Sequence, residues 1–210
     1  MLSRKRELFS PAEGVCALLG ETDRWLRRGA DFSDASLLDE RGRLAFRSLM
    51  LRADDVALAY AEGSELSRKL EVRRSPLVQT GGLYSVGGTL YEATRAEHGA
   101  RTSYLYLSEV AGDGTCELIA EDDSYDDLRQ RRATETSRRV HCRRVVTSAV
   151  RSVAGGTDRL APSMRIRVRA SDYAGERSVR RDGVRYAVTS ASGQGRWADL
   201  ALAQLAGRRR

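Results

Sequence analysis

The chain has 210 residues, with 36 Lys+Arg against 29 Asp+Glu for a net charge of +7, which suits one large domain or two small ones of about 100 residues. No run of about 18 apolar residues occurs, so no transmembrane helix is expected, and the basic start Met1-Leu2-Ser3-Arg4-Lys5-Arg6-Glu7 has no apolar stretch behind it, against a secretory signal. Cys16, Cys116 and Cys142 are odd in number and lack metal-ligand spacing, so they read as reduced thiols of a cytoplasmic protein.

Residues 1–13 read as an N-terminal arm and 14–110 as a first domain. Cys16 to Glu21 opens it as a strand. Asp54-Asp55-Val56-Ala57-Leu58-Ala59-Tyr60-Ala61-Glu62-Gly63 has an acidic start, helix formers and a Gly stop, and predicts a short helix or an ordered loop. Leu83 to Val86, Leu90 to Thr94 and Ser103 to Leu107 predict strands, the first two joined by a turn at Gly87-Gly88. Residues 111–137 are expected to hold a linker and the first strand of a second domain. The acidic run Glu121 to Asp127 and the basic run to Arg132 predict a short helix or a meandering loop on a solvated face.

Residues 138–205 complete the second domain, with strands beginning near Val140, Met164, Glu176, Val184 and Trp197. Arg165-Ile166-Arg167-Val168-Arg169 alternates, which predicts a half-buried strand with three arginines on its outer face. Asp182-Gly183 followed by Val184, Tyr186 and Val188 is a hairpin signal, and Ala198, Leu200 and Leu202 form the next inward row. The segment from about Ala149 to Pro162 reads as a long flexible loop around Gly155-Gly156, and residues 206–210 as a basic tail.

The two domains repeat one pattern. Cys16-Ala17-Leu18-Leu19-Gly20-Glu21 recurs as Cys116-Glu117-Leu118-Ile119-Ala120-Glu121, 100 residues later. A second match at an offset of 95 pairs Arg43 with Arg138, Arg74 with Arg169, Gly88 with Gly183, Tyr91 with Tyr186, Thr94 with Thr189, Leu105 with Leu200 and Leu107 with Leu202. Tyr91 and Tyr186 are thus expected as equivalent core residues. The expected fold is all-β: two tandem small antiparallel barrel-like domains of about six strands each.

Signals for chemistry are poor, and no enzymatic activity, cofactor or metal is expected. His98 and His141 stand in opposite copies, and His141 and Cys142, as neighbours in a strand, point to opposite faces. Gly81-Gly82 and Gly87-Gly88 lack the Lys-Ser/Thr of a phosphate loop, Gly193-Gln194-Gly195 reads as a turn, and the acidic run lacks calcium-loop spacing. The positive excess lies in residues 111–210, which hold 20 basic and 13 acidic residues. Arg138 and Arg139 precede Arg143 and Arg144, and with Arg165, Arg167 and Arg169 the latter two are candidates for contacts to a neighbouring subunit or to DNA. No aromatic row accompanies them, as base stacking would need.

The second copy resembles the head-closure (head–tail joining, or stopper) proteins of long-tailed phages over residues 115–204. The resemblance rests on Glu117-Leu118-Ile119-Ala120-Glu121, on Arg139-Val140-His141-Cys142, and on Leu160-Ala161-Pro162 leading into Met164 to Val168. It continues through Asp172-Tyr173-Ala174-Gly175-Glu176 and Asp182-Gly183-Val184-Arg185-Tyr186-Ala187-Val188, then Leu200 and Leu202. It implies a structural ring in the virion neck, made in the host cytoplasm and placed between the portal or adaptor ring and the tail-tube or tail-terminator proteins. It also implies that the long loop, with Val150, Ser152, Gly155, Gly156 and Pro162, meets the channel or a docking partner and helps retain packaged DNA without reading its sequence. Asp172, Tyr173, Gly175, Glu176, Gly183 and Tyr186 are expected to be structural. Alternatives are a tail-terminator or adaptor protein of the neck and, from another class, an Arg-rich nucleic-acid-binding barrel.

Overall fold

The computed structural model describes residues 13–61, 64–125, 131–145 and 164–205. Among the described residues, twelve strands form two closed antiparallel barrels of six. The first holds β1 (Gly14–Gly20), β2 (Asp39–Leu49), β3 (Arg68–Arg73), β4 (Leu83–Val86), β5 (Thr89–His98) and β6 (Thr102–Glu109), ordered β1-β2-β3-β6-β5-β4 and closed by β4 on β1. The second holds β7 (Gly114–Tyr125), β8 (Arg131–Val145), β9 (Met164–Arg169), β10 (Ser178–Arg181), β11 (Val184–Gln194) and β12 (Trp197–Gln204), ordered β7-β8-β9-β12-β11-β10 and closed by β10 on β7. Each strand finds its place in the other barrel by adding six to its number. Closure leaves neither sheet with an open edge.

The repeat extends to register and to hydrogen bonds outside the ladders. A bulge interrupts the β5–β6 pairing at Thr94, whose Oγ1 donates to Tyr106 O at 3.1 Å; β11–β12 is interrupted at Thr189, whose Oγ1 donates to Ala201 O at 3.1 Å. Glu13 N donates to Phe46 O and Ser48 N to Glu13 Oε2; in the second barrel Asp113 N donates to Cys142 O and Arg144 N to Asp113 Oδ2. Gly87 and Gly88 both have positive φ, as do Asp182 and Gly183, so both hairpins turn through a pair of left-handed residues. Asp182, at φ 52, takes a conformation that a non-glycine residue seldom adopts.

Register corrects two of the sequence pairings. Cys16 lies opposite Leu44 and Cys116 opposite Val140, so the offset through the second and third strands is 96, and 95 holds only from the fourth onward. The counterpart of Arg138 is therefore Gly42 rather than Arg43, and that of Arg169 is Arg73 rather than Arg74. A slip of one residue moves a strand side chain to the opposite face.

Each barrel encloses its own core. Cys16, Leu18, Leu44, Phe46, Leu70, Val72, Leu105 and Leu107 fill the first; Cys116, Leu118, Val140, Cys142, Ile166, Val168, Leu200 and Leu202 stand at the matching positions of the second. Tyr91 is buried in the first core, whereas Tyr186 is only half-buried and packs against the edge of the second, so the expected equivalence holds in position but not in burial.

Two sequence expectations change. The runs after Ala120 are not a linker: Glu121–Tyr125 and Arg131–Ser137 pair within the β7–β8 hairpin, from Ile119 opposite Ser137 to Tyr125 opposite Arg131. That stretch has polar residues at both parities, so apolar alternation gave no sign of a strand. Nor is residues 14–110 one uninterrupted domain. The chain divides into unit 1, residues 1–25 and 33–110, and unit 2, which takes in Leu26–Phe32 together with residues 111–210.

The expected helix is α2 (Ala53–Ala61), preceded by the four-residue α1 (Asp23–Leu26). Asp55 ties α2 to its barrel: Lys69 Nζ lies 2.9 Å from Oδ2 and Arg95 Nη2 3.2 Å from Oδ1, and both cations also sit over the ring of Tyr106. The hydrogen bond from Lys69 holds the Asp55 carboxyl below the usual carboxylate range, against a smaller opposing effect of burial. A carboxylate depressed in the folded state contributes stability above its unfolded pKa and loses it as pH falls through the folded value. Asp55→Asn should therefore cost about 1–2 kcal/mol at neutral pH, and the gap from the parent should close below about pH 4. Urea melts at pH 7 and pH 3 measure it; an equal gap at both would show that the Asp55 charge is not what holds α2.

Candidate functional site

Of the residues singled out in the second copy, Arg143, Arg165, Arg167 and Arg169 lie on the outer face of β8 and β9, Asp172, Tyr173, Gly175 and Glu176 before β10, and Gly183 and Tyr186 at the turn into β11 and on that strand. In β8 the parity of Val140 and Cys142 points inward, so Arg138 and Arg144 end the inward row while Arg139, His141 and Arg143 belong to the outer face. The four arginines of this strand are thus split between two faces. On the outer face Arg143 stands opposite Arg167, and Arg165 opposite Val145 and Ala201.

Several arginines of the second barrel have acidic partners within it. Arg167 holds Asp199 through Nε at 2.7 Å and Nη2 at 2.9 Å. Arg180 and Arg139 flank Glu117, Arg185 reaches Glu121 and Glu135, and Arg181 reaches Asp113. Arg144 is exposed, and Arg143 and Arg165 are half-buried.

Arg169 departs from its expected place. It has outer-face parity yet is only 2% exposed, because Leu26–Phe32 lies across this end of the face as a strap. Its guanidinium donates to Arg27 O at 3.2 Å and to Ala30 O at 3.5 Å. It therefore holds the strap and is not available to a neighbouring subunit or to DNA. Gly29, at φ +76, donates its N–H to Asp172 Oδ1 at 3.0 Å; Asp31 lies 3.7 Å from His141; Phe32 meets Trp197 edge-on with ring centroids 5.2 Å apart.

The segment Asp172 to Glu176 is a polar knot between β9 and β10. Ala170–Asp172 makes a 3-10 turn, Gly175 follows at φ +94, and Glu176 folds back so that Oε2 accepts from Ala174 N at 2.8 Å and Oε1 accepts from Arg138 Nη2 at 2.8 Å. Arg138 also donates to Asp172 O, and Tyr173 Oη to Glu176 O at 3.3 Å. Asp172 and Glu176 are buried, and Asp172 receives the strap through the Gly29 N–H. Gly183 completes the β10–β11 turn, and Tyr186 follows in β11. The expected loop residues Val150, Ser152, Gly155, Gly156 and Pro162 lie outside the described residues.

Cys116 and Cys142 are both inward and buried, and share a thiol–thiol hydrogen bond. That bond, with burial, pushes the Cys116 thiol up. Burial likewise raises Cys16, to about 11. Buried protonated thiols are weak nucleophiles. His141 and Cys142 lie on opposite faces, as their adjacency requires. Among the described residues no group of three or more His, Cys, Asp or Glu side chains is placed to hold a metal ion.

The strap is the feature sequence reasoning missed. Arg27-Arg28-Gly29-Ala30-Asp31 reads as an ordinary loop, and only Phe32 beside it hints at burial. Comparisons with protein-family models, with curated proteins and with solved structures returned no match.

Proposed function

We propose that this chain is a structural connector of a tailed phage or phage-like particle, a head-closure protein that forms a ring between portal or adaptor and tail. The observation that carries the reading is where the resembling segments fall. Glu117–Glu121 lies on β7, Arg139–Cys142 on β8 and Met164–Val168 on β9; Asp172–Glu176 forms the polar knot, and Asp182–Val188 the turn into β11. Every such segment that the structure describes thus has a part in building one closed barrel. Rigid barrels with charged outer faces suit contacts in which electrostatic pattern selects the neighbour.

The reading of the second half as an Arg-rich nucleic-acid-binding barrel has less support. Arg167, Arg180, Arg181 and Arg185 are paired with carboxylates of the same barrel, and a neutralised guanidinium releases few counterions from a phosphate backbone. Negative-stain imaging of the purified protein, alone and with portal–adaptor complexes, tests the proposal. Closed rings that cap the portal complex are expected; protein that forms no ring and binds no portal complex at any concentration would overturn it.

A further inference from the structure

At one end of each barrel the matched registers bring different chemistry to the same three places. Gly14 stands opposite Phe46 and Cys16 opposite Val86. In the second barrel Gly114 stands opposite Cys142, and Arg181 follows Arg180, the partner of Glu117, so it falls beside Cys116. The first barrel thus ends its core with Cys16, Phe46 and Val86, all buried, where the second has Cys116, Cys142 and Arg181. Packing alone does not ask for a second thiol and a guanidinium, because the first barrel fills those two places with apolar groups.

The three side chains of the second barrel form a chemical group. Cys116 and Cys142 project inward from adjacent strands, on the diagonal between the Cys116–Val140 and Gly114–Cys142 pairs, and share their thiol–thiol hydrogen bond. Arg181 has the inward parity of Val179. Its Nη2 lies 3.0 Å from Asp113 Oδ1, and its Nη1 is buried with no hydrogen-bond partner among the described residues. That donor and its charge favour an anion on the sulfur pair. The Cys116 hydrogen bond, opposed by burial and aided by the Arg181 guanidinium, holds the Cys142 thiol below its ordinary value. Asp113 and Asp182, which both contact Arg181, are exposed, so the pair lies close beneath the surface. Cys16 is as deeply buried but has Leu44 and Val86 across its strands, and its thiol is pushed up.

We propose that Cys116 and Cys142 are a redox pair that a peroxide converts to a disulfide within the barrel, and that Arg181 holds the reacting anion. Cys142, having lost its proton to water, displaces hydroxide from hydrogen peroxide and becomes a sulfenic acid. The Cys116 sulfur attacks that sulfur, its proton leaves with the sulfenic hydroxyl as water, and the S–S bond forms. Hydroxide takes up the first proton, so two thiols and one peroxide yield one disulfide and two waters, the sulfurs oxidised and the peroxide reduced. A thiol reductant reverses the bond, so a reducing compartment keeps the pair open and an oxidising one closes it. The bond ties β7 to β8 beside the β10–β7 seam that closes the barrel. The inference goes beyond the ring reading and does not rest on it.

The test exposes the full, reduced chain to hydrogen peroxide, blocks remaining thiols with an alkylating agent under unfolding conditions, and maps the peptides by mass spectrometry without reductant. A Cys116–Cys142 cross-link, lighter by two hydrogen atoms and reversed by dithiothreitol, is expected while Cys16 is still alkylated. Arg181→Val, the residue of the first barrel, should slow the cross-link by about tenfold or more, and Arg181→Lys should restore most of the rate. Three thiols oxidised at one rate, or sulfinic and sulfonic acids without a cross-link, would overturn the redox pair. An Arg181→Val chain that cross-links as fast as the parent would overturn the role of Arg181. Should Arg181→Val misfold by circular dichroism, Arg181→Gln, which keeps the length and removes the charge, takes its place.

Discussion

Phe32→Ala is expected to cost about 3–5 kcal/mol, and to cost it in the second barrel although the residue stands in the first fifth of the chain. Phe32 is 2% exposed, meets Trp197 edge-on at 5.2 Å, and belongs with Leu26–Phe32 to unit 2. Losing the ring leaves a cavity over Trp197. It also loosens the strap whose carbonyls satisfy the Arg169 guanidinium, and a buried charge left without acceptors is costly. Hydrogen exchange should report faster opening of β9 and β12 while β4 and β5 keep the protection of the parent. Equal loss in both sets would mean that the strap is no separate part of unit 2.

Tyr91→Ala should likewise cost about 3–5 kcal/mol, whereas Tyr186→Ala, at the equivalent position, should cost about 1–2 kcal/mol. Tyr91 is 5% exposed within the first core, and the Arg68 guanidinium lies 5.6 Å from its ring centroid. Tyr186, like Met164 and Val188, is only partly buried where it packs against its core. Register makes the two residues equivalent, but the shape of each barrel sets how much of the ring leaves water. Chemical denaturation of the two variants measures the difference; equal losses would show that Tyr186 is as enclosed as Tyr91.

The β elements were legible where one face of a strand is apolar. Met164, Val184 and Trp197 begin strands as expected, and β4 spans Leu83–Val86, because alternation reports a face that meets a core. The ribbon beyond Ala120 was not legible, since neither of its parities is apolar. The outer arginines were visible as a pattern, but the acids that occupy them were not. Glu117 and Arg180 meet across adjacent strands though 63 positions apart, and Arg185 and Glu135 meet at a separation of 50.

What the amino-acid sequence determined by itself is the repeat: about six strands in each of two domains, two glycine-bearing hairpin turns in equivalent places, and two cores with matching residues. These follow from local alternation and turn chemistry, which each segment carries without knowing its neighbours. Tertiary structure alone decided which arginines are spent internally, and that Arg169 and Arg73, equivalent in register, differ in burial. It also decided that Leu26–Phe32 completes unit 2. These outcomes depend on contacts between residues far apart in the chain, such as Gly29 with Asp172, 143 positions away, and Phe32 with Trp197. Such contacts leave no periodic trace in the chain, because closing the barrels, not local preference, brings their partners together.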